Sequence, residues 1–98
     1  MHYSKVKSAI LAGLDVLNVE VEADLNMRSV RQELEIVGLG DTAIKESKKR
    51  VMSAIKNSGF EVPRGYITVN LAPGDAKKEG TLLDLPIAIA ILMASGKI

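Results

Sequence analysis

Ten consecutive residues, 85–94 (LPIAIAILMA), offer no polar side chain. A helix that is apolar all round needs cover all round. The stretch is too short to cross a bilayer, which takes about 20 residues, so it reads as a core helix on which something further should pack. Asp84 in front of it can cap the helix, and Pro86 fits the first turn, where no intrahelical N–H partner is needed. Upstream, 66–71 alternates: Ile67, Val69 and Leu71 share one face, Thr68 and Asn70 the other, as in a strand. Residues 72–75 (APGD) break that strand, because Pro73 has no amide donor and Gly74 frees φ. Lys77, Lys78 and Glu79 fill a solvated loop that Gly80 closes.

The remainder of the chain supplies the partners for this helix. Residues 5–13 (KVKSAILAG) form a strand with Val6, Ser8 and Ile10 on one side and Lys5 and Lys7 on the other. Gly13, Leu14 and Asp15 make the turn. Residues 16–24 are the clearest strand, with Leu17, Val19, Val21 and Ala23 inward and Asn18, Glu20, Glu22 and Asp24 outward. The short connection makes the pair an antiparallel hairpin. Residues 25–32 read as a polar, mobile connector. A third strand spans 33–39, with Leu34 and Ile36 inward, and Gly38 and Gly40 mark a sharp turn or a close backbone approach. Asp41 or Thr42 caps a helix running to about residue 58, which Gly59 ends. The order β-β-β-α-β-α indicates an α+β sandwich with both helices on one face of a mixed sheet.

Ninety-eight residues make one small domain or part of one. The apolar share of 47% is enough for a core, and with two tyrosines and one phenylalanine its packing is aliphatic. The absence of cysteine excludes disulfides, thiol catalysis and cysteine-ligated metal. It fits a reducing cytoplasm, and no long apolar run follows residues 1–5 to suggest a signal peptide. Thirteen basic and twelve acidic side chains give a net charge of +1. Bulk charge therefore argues neither for nor against nucleic acid, and any such case rests on a local patch.

One patch stands out. At ~100° per residue, Lys45, Lys49 and Lys56 fall together on the first helix, edged by Lys48 and Arg50, beside a stripe of Ile44, Val51 and Ile55. These five cations are the candidate nucleic-acid contacts, to phosphate; an ordinary solvated helix face has the same composition. No aromatic side chain is interleaved, so base stacking is not indicated. The turn at Gly38, Leu39, Gly40 and Asp41 opens a helix, the context for anion binding. It lacks the phosphate-loop spacing and its Lys-Ser/Thr pair, and it matches any tight strand–helix turn. Glu20, Glu22, Asp24, Glu33 and Glu35 line the outer sheet face. They could do acid–base work or hold a hard cation, although regular alternation on an exposed face produces the same pattern. His2 lies at a terminus. Ser4, Ser8, Ser47, Ser53, Ser58 and Ser95 have no histidine partner, which leaves only a Ser-Lys arrangement. No catalytic residue, metal site or cofactor site is assigned within the chain.

Several segments resemble the N-terminal domain of the magnesium-chelatase-like AAA+ ATPases of the ComM/YifB type: 36–39 (IVGL), 41–47 (DTAIKES), 57–60 (NSGF), 67–73 (ITVNLAP), 78–80 (KEG) and 84–88 (DLPIA). The chain departs from that family at Gly40, where proline is usual, and at 26–32, where a Gly-Leu-Pro type of turn is common. The resemblance implies a ribosomal protein S5 domain 2-like fold, similar to the Lon proteolytic domain and truncated at the C-terminus. It implies an AAA+ motor after residue 98, using ATP and magnesium, and a homo-oligomer, hexameric in the full-length protein, that acts on DNA in recombination or transformation. The chain itself would be a non-catalytic accessory domain for ring assembly or DNA engagement. The alternatives are a degenerate Ser-Lys peptidase domain and a purely structural oligomerisation module. In Lon proteases the nucleophilic serine opens the helix that corresponds to 84–94. Here residues 80–86 (GTLLDLP) contain no serine, and Asp84 is a better cap than a nucleophile, so peptidase activity is not expected.

Overall fold

The structure, a computed structural model, describes residues 2–12, 14–72 and 83–98. Gly13 and the loop expected around Pro73, Gly74, Asp75, Lys77, Lys78, Glu79 and Gly80 lie outside the described residues. The elements are β1 (Tyr3–Ala12), β2 (Asp15–Asn26), β3 (Glu33–Val37), α1 (Asp41–Asn57), β4 (Tyr66–Ala72) and α2 (Asp84–Ala94). They follow the expected β-β-β-α-β-α order. The four strands form one mixed sheet in the order β1-β2-β4-β3. β1 pairs antiparallel with β2, and β2 antiparallel with β4, while β3 runs parallel to β4.

Register places all the inward side chains on one face. Ser4 lies opposite Ala23, Val6 opposite Val21 and Ser8 opposite Val19. Val21 lies opposite Leu71, Ala23 opposite Val69 and Leu25 opposite Ile67, and Leu34 and Ile36 lie beside Ile67 and Val69. Val19, Val21, Ala23, Ile67 and Val69 are at most 1% exposed. Onto this face α1 brings Val51 and Ile55, and α2 brings Ile87, Ala90, Ile91 and Ala94, all equally buried. α2 is buried over most of its surface, as its composition requires. Leu85 and Met93 stay exposed on its outer side, and Ile89 is half-buried. The small residues Ala23, Ala88 and Ala90 bring helix and sheet close enough for the Ser4 hydroxyl to donate to the Ala90 carbonyl at 2.5 Å.

Four expectations need correction. β2 runs two residues further than 16–24 indicates, and Leu25 is buried, because its partner Ile67 needs an inward neighbour. The 25–32 segment is a hydrogen-bonded turn rather than a loose connector. The Arg28 amide donates to Asn26 Oδ1 at 3.1 Å, and Gln32 binds both the Pro63 carbonyl and the Gly65 amide at 3.0 Å. The N-cap of α1 is Gly40 rather than Asp41 or Thr42. The N-cap of α2 is Leu83, and Asp84 is the first helical residue, its carboxylate drawn away from the helix end by partners on α1. Pro86 sits in the first turn as expected.

Two glycines carry the close approaches. Gly38 has φ +110°, and a Cβ there would meet the Leu71 carbonyl at 2.6 Å. Gly65 has φ +102°, and a Cβ would collide with the Asn26 carbonyl. Gly40 is different: φ is −68° and nothing lies within 4 Å of an added Cβ, so a proline would fit its backbone. Gly40→Pro should therefore raise stability by about 0.4–1 kcal/mol through the unfolded chain, whereas Gly65→Ala should lower it by more than that. Thermal melts followed by far-UV circular dichroism check both. Equal shifts for the two would contradict this account.

Candidate functional site

The chemistry-bearing side chains fall into three groups: a seam between the helices, the outer face of α1 and the open face of the sheet. The seam is built on Asp84. Ser47, 1% exposed, donates to Asp84 Oδ1 at 3.0 Å. Arg50 donates to Oδ2 through Nε at 2.5 Å and to Oδ1 through a terminal nitrogen at 3.4 Å. Arg50 also reaches Glu46 at 3.7 Å, one turn back on α1. The hydrogen bond to Asp84 raises the pKa of an already strongly basic guanidinium, so Arg50 keeps its charge. A hydroxyl, a carboxylate and a guanidinium thus join α1 to α2, and neither buried serine, Ser4 or Ser47, is left as a free nucleophile.

The link redraws the basic patch on α1. Arg50 is committed to Asp84 and Glu46, and Lys48 faces Glu33 on β3 at 3.6 Å. Lys45, Lys49 and Lys56 are exposed, and among the described residues no carboxylate lies within 4.0 Å of their amino groups. The five cations of the sequence pattern therefore divide into three that face solvent and two that hold the fold. The Gly38–Gly40 turn in front of α1 is explained by packing against Leu71, and it carries no further sign of an anion site. His2 contributes its backbone carbonyl to the Leu25 amide at 2.8 Å. Among the described residues no group of three His, Cys, Asp or Glu side chains is arranged to hold a metal ion. No helix among them is long and apolar enough to cross a membrane.

The sheet face away from the helices carries the expected carboxylates, with an ordering that alternation alone does not reveal. The Tyr3 hydroxyl donates to Glu22 at 2.9 Å, and the Tyr66 hydroxyl to Glu35 at 2.5 Å. Lys5 pairs with Glu20 at 3.6 Å and Arg31 with Glu33 at 3.3 Å. The Arg31 guanidinium lies 5.9 Å from the Tyr66 ring centroid, within cation–π range. Asp24, Asn26, Ser29, Tyr66 and Thr68 line a shallow groove of about 410 Å³ on this face. The tyrosines were not among the sequence candidates. Their only signal is that each opens a strand whose outward neighbours are acidic.

The two hydroxyl–carboxylate bonds have a pH signature. Each raises its tyrosine above the ordinary value of 10.0, chiefly because the hydrogen bond holds the phenolic proton, with some desolvation and the nearby negative charge acting the same way. The folded chain therefore binds these protons more tightly than the unfolded chain. The resulting stability is complete below pH 10 and is lost as pH rises through the folded values. Tyr3 and Tyr66 are the only tyrosines, so phenolate absorbance reads them alone. Native titration should lag behind free tyrosine, and Glu22→Gln or Glu35→Gln should each return one group towards the ordinary value. In the seam, Asp84→Ala strands the Ser47 hydroxyl and the Arg50 guanidinium and should cost about 1–3 kcal/mol. The exposed Asp24→Ala should stay within about 0.5 kcal/mol. Urea unfolding separates the two, and equal midpoints would remove the seam's importance.

Comparison with known proteins matches the sequence to a family. The family described as subunit ChlI of Mg-chelatase matches residues 20–98. The chain is 48% identical over 84 residues to the uncharacterized protein YifB of Escherichia coli K12, covering 86% of this chain and 17% of that protein. It is 40% identical over 96 residues to competence protein ComM of Haemophilus influenzae Rd, covering 98% and 18%. It is 36% identical over 97 residues to the uncharacterized protein Rv2897c of Mycobacterium tuberculosis H37Rv, covering 99% and 19%. The chain thus spans less than a fifth of the length of these relatives. With the family matched over most of the chain and these identities running along nearly all of it, the chain belongs to the magnesium-chelatase-like ChlI family, of the ComM/YifB type.

Proposed function

We propose that the chain is a non-catalytic accessory domain of a magnesium-chelatase-like AAA+ ATPase, lying ahead of the motor and helping a hexameric ring to engage DNA. The reading takes the fold as a shortened version of the ribosomal protein S5 domain 2-like and Lon-like architecture. Exposed Leu85 and Met93 on α2 are then where later chain would pack. The observation that carries the DNA assignment is the row of Lys45, Lys49 and Lys56, which have no acidic partner within 4.0 Å among the described residues, while Lys48 and Arg50 are used internally. A row of free ammonium groups on a rigid helix suits phosphate contacts that are independent of sequence and sensitive to salt. A peptidase reading is disfavoured by Asp84, which stands at the start of α2 and is occupied by Ser47 and Arg50. ATP and magnesium would be bound by the motor.

The test uses the full-length ring, where several copies add avidity. Lys45→Glu with Lys49→Glu and Lys56→Glu reverses three charges and leaves the Val51–Ile55 core packing untouched. DNA affinity at low salt should fall at least tenfold. The slope of log affinity against log salt should shrink by roughly 0.9 for each phosphate that is no longer neutralised. A folded triple variant that binds and processes DNA like the unmodified ring would leave only the oligomerisation-module reading.

A further inference from the structure

We propose that the open sheet face is a docking surface for α1 of a second copy of this chain, with Lys45, Lys49 and Lys56 laid along β4 between two banks of carboxylates. The inference rests on the reading of α1 as a contact surface and names a protein partner for it.

The sheet face has the shape and charge for this. Outward from β4 point only Thr68, Asn70 and Ala72, beyond Tyr66 at one end. On one side β2 presents Glu20, Glu22 and Asp24, and on the other β3 presents Glu33 and Glu35. Register puts Asp24, Thr68 and Glu35 in one row, so the two carboxylates flank Thr68, about two strand spacings or ~9.6 Å apart. A cation over Thr68 lies between them. Glu20 and Glu33 already have cationic partners. Glu22, Asp24 and Glu35 have none within 4.0 Å among the described residues, and tyrosine hydroxyls hold Glu22 and Glu35 in place. Three unneutralised carboxylates on one side of the molecule thus answer three unneutralised ammonium groups on the other. Spacing agrees in scale: Glu22 and Asp24 are two strand residues apart, ~6.8 Å, and Lys45 and Lys49 four helix residues apart, ~6 Å.

The two surfaces sit on opposite sides of a two-layer sandwich, because both helices cover the inner sheet face. One copy therefore cannot satisfy itself, and a two-fold dimer would set like charges together. The contact is front-to-back, the heterologous kind that closes into rings or continues as a stack. DNA phosphates and the neighbour's carboxylates compete for the same three lysines.

A charge swap tests this on the 98-residue chain, by sedimentation velocity at several hundred micromolar and low salt, with circular dichroism melts to verify folding. One variant carries Asp24→Lys and Glu35→Lys. Glu22 is left alone because Lys5 lies directly opposite it. The other carries Lys45→Glu, Lys49→Glu and Lys56→Glu. The unmodified chain should self-associate and dissociate on adding salt. Each folded variant alone should lose at least tenfold in association, and an equimolar mixture of the two should recover it. No association by the unmodified chain, or no recovery in the mixture, overturns the proposal. A DNA-binding arm separates it from the functional reading. The Asp24→Lys, Glu35→Lys variant should hold DNA at least as tightly as the unmodified chain. Loss of DNA binding in the lysine variant without recovery in the mixture leaves the DNA reading standing and this one refuted; recovery with DNA binding intact does the reverse.

Discussion

Burial of α2 is the condition on which the rest of the fold depends. A helix with almost no polar side chain gains from leaving water on every side, and the chain provides a sheet beneath it, a helix beside it and small residues wherever the backbones meet. The α2 side of the seam between the helices would be purely apolar but for Asp84. Its carboxylate takes a hydroxyl from the floor of α1 and a guanidinium from its edge, and so fixes the rotation of each helix against the other. Apolar packing alone specifies such a rotation weakly, because sliding one aliphatic surface over another costs little. A partly buried ion pair with one correct geometry removes that freedom, at a desolvation cost the hydrogen bonds offset.

With the helices committed to one side, the two outer surfaces of the sandwich differ in charge. The helix side carries lysines in excess, and the sheet side carries carboxylates braced by tyrosines. In a chain of net charge +1 this is a separation of charge across the molecule rather than an imbalance of it. A field of that form orients the domain against charged partners before contact is made.

Much of the fold was legible because alternation and helical periodicity are direct consequences of one-sided burial. Val19, Val21 and Ala23 declare β2, and Val51 and Ile55 declare the buried stripe of α1. The strand order could not be read in the same way, since β4 enters between β2 and β3 and pairing partners leave no mark in local pattern. The extension of β2 through Leu25 and Asn26 was hidden for the same reason: their partners, Ile67 and Tyr66, lie about forty residues away. At the candidate surface, the lysine row was legible from spacing. That Arg50 and Lys48 serve the fold was not, because Asp84 and Glu33 meet them only in three dimensions. The Asp84 cap failed on similar grounds, since a carboxylate next to a helix start takes the strongest donor available, and here that donor is on another element.

The position of β4 also governs how the chain assembles. The hairpin of β1 and β2 closes locally, but β4, one of the sheet's two interior strands, comes late in the sequence, after β3 and α1. Until it arrives, β2 has one open edge and β3 has no neighbour at all. No N-terminal portion ending before residue 66 holds a complete sheet, and α2 has no finished surface to cover. The core of this domain therefore stays unbuilt until the residues of β4 and α2 have been synthesised.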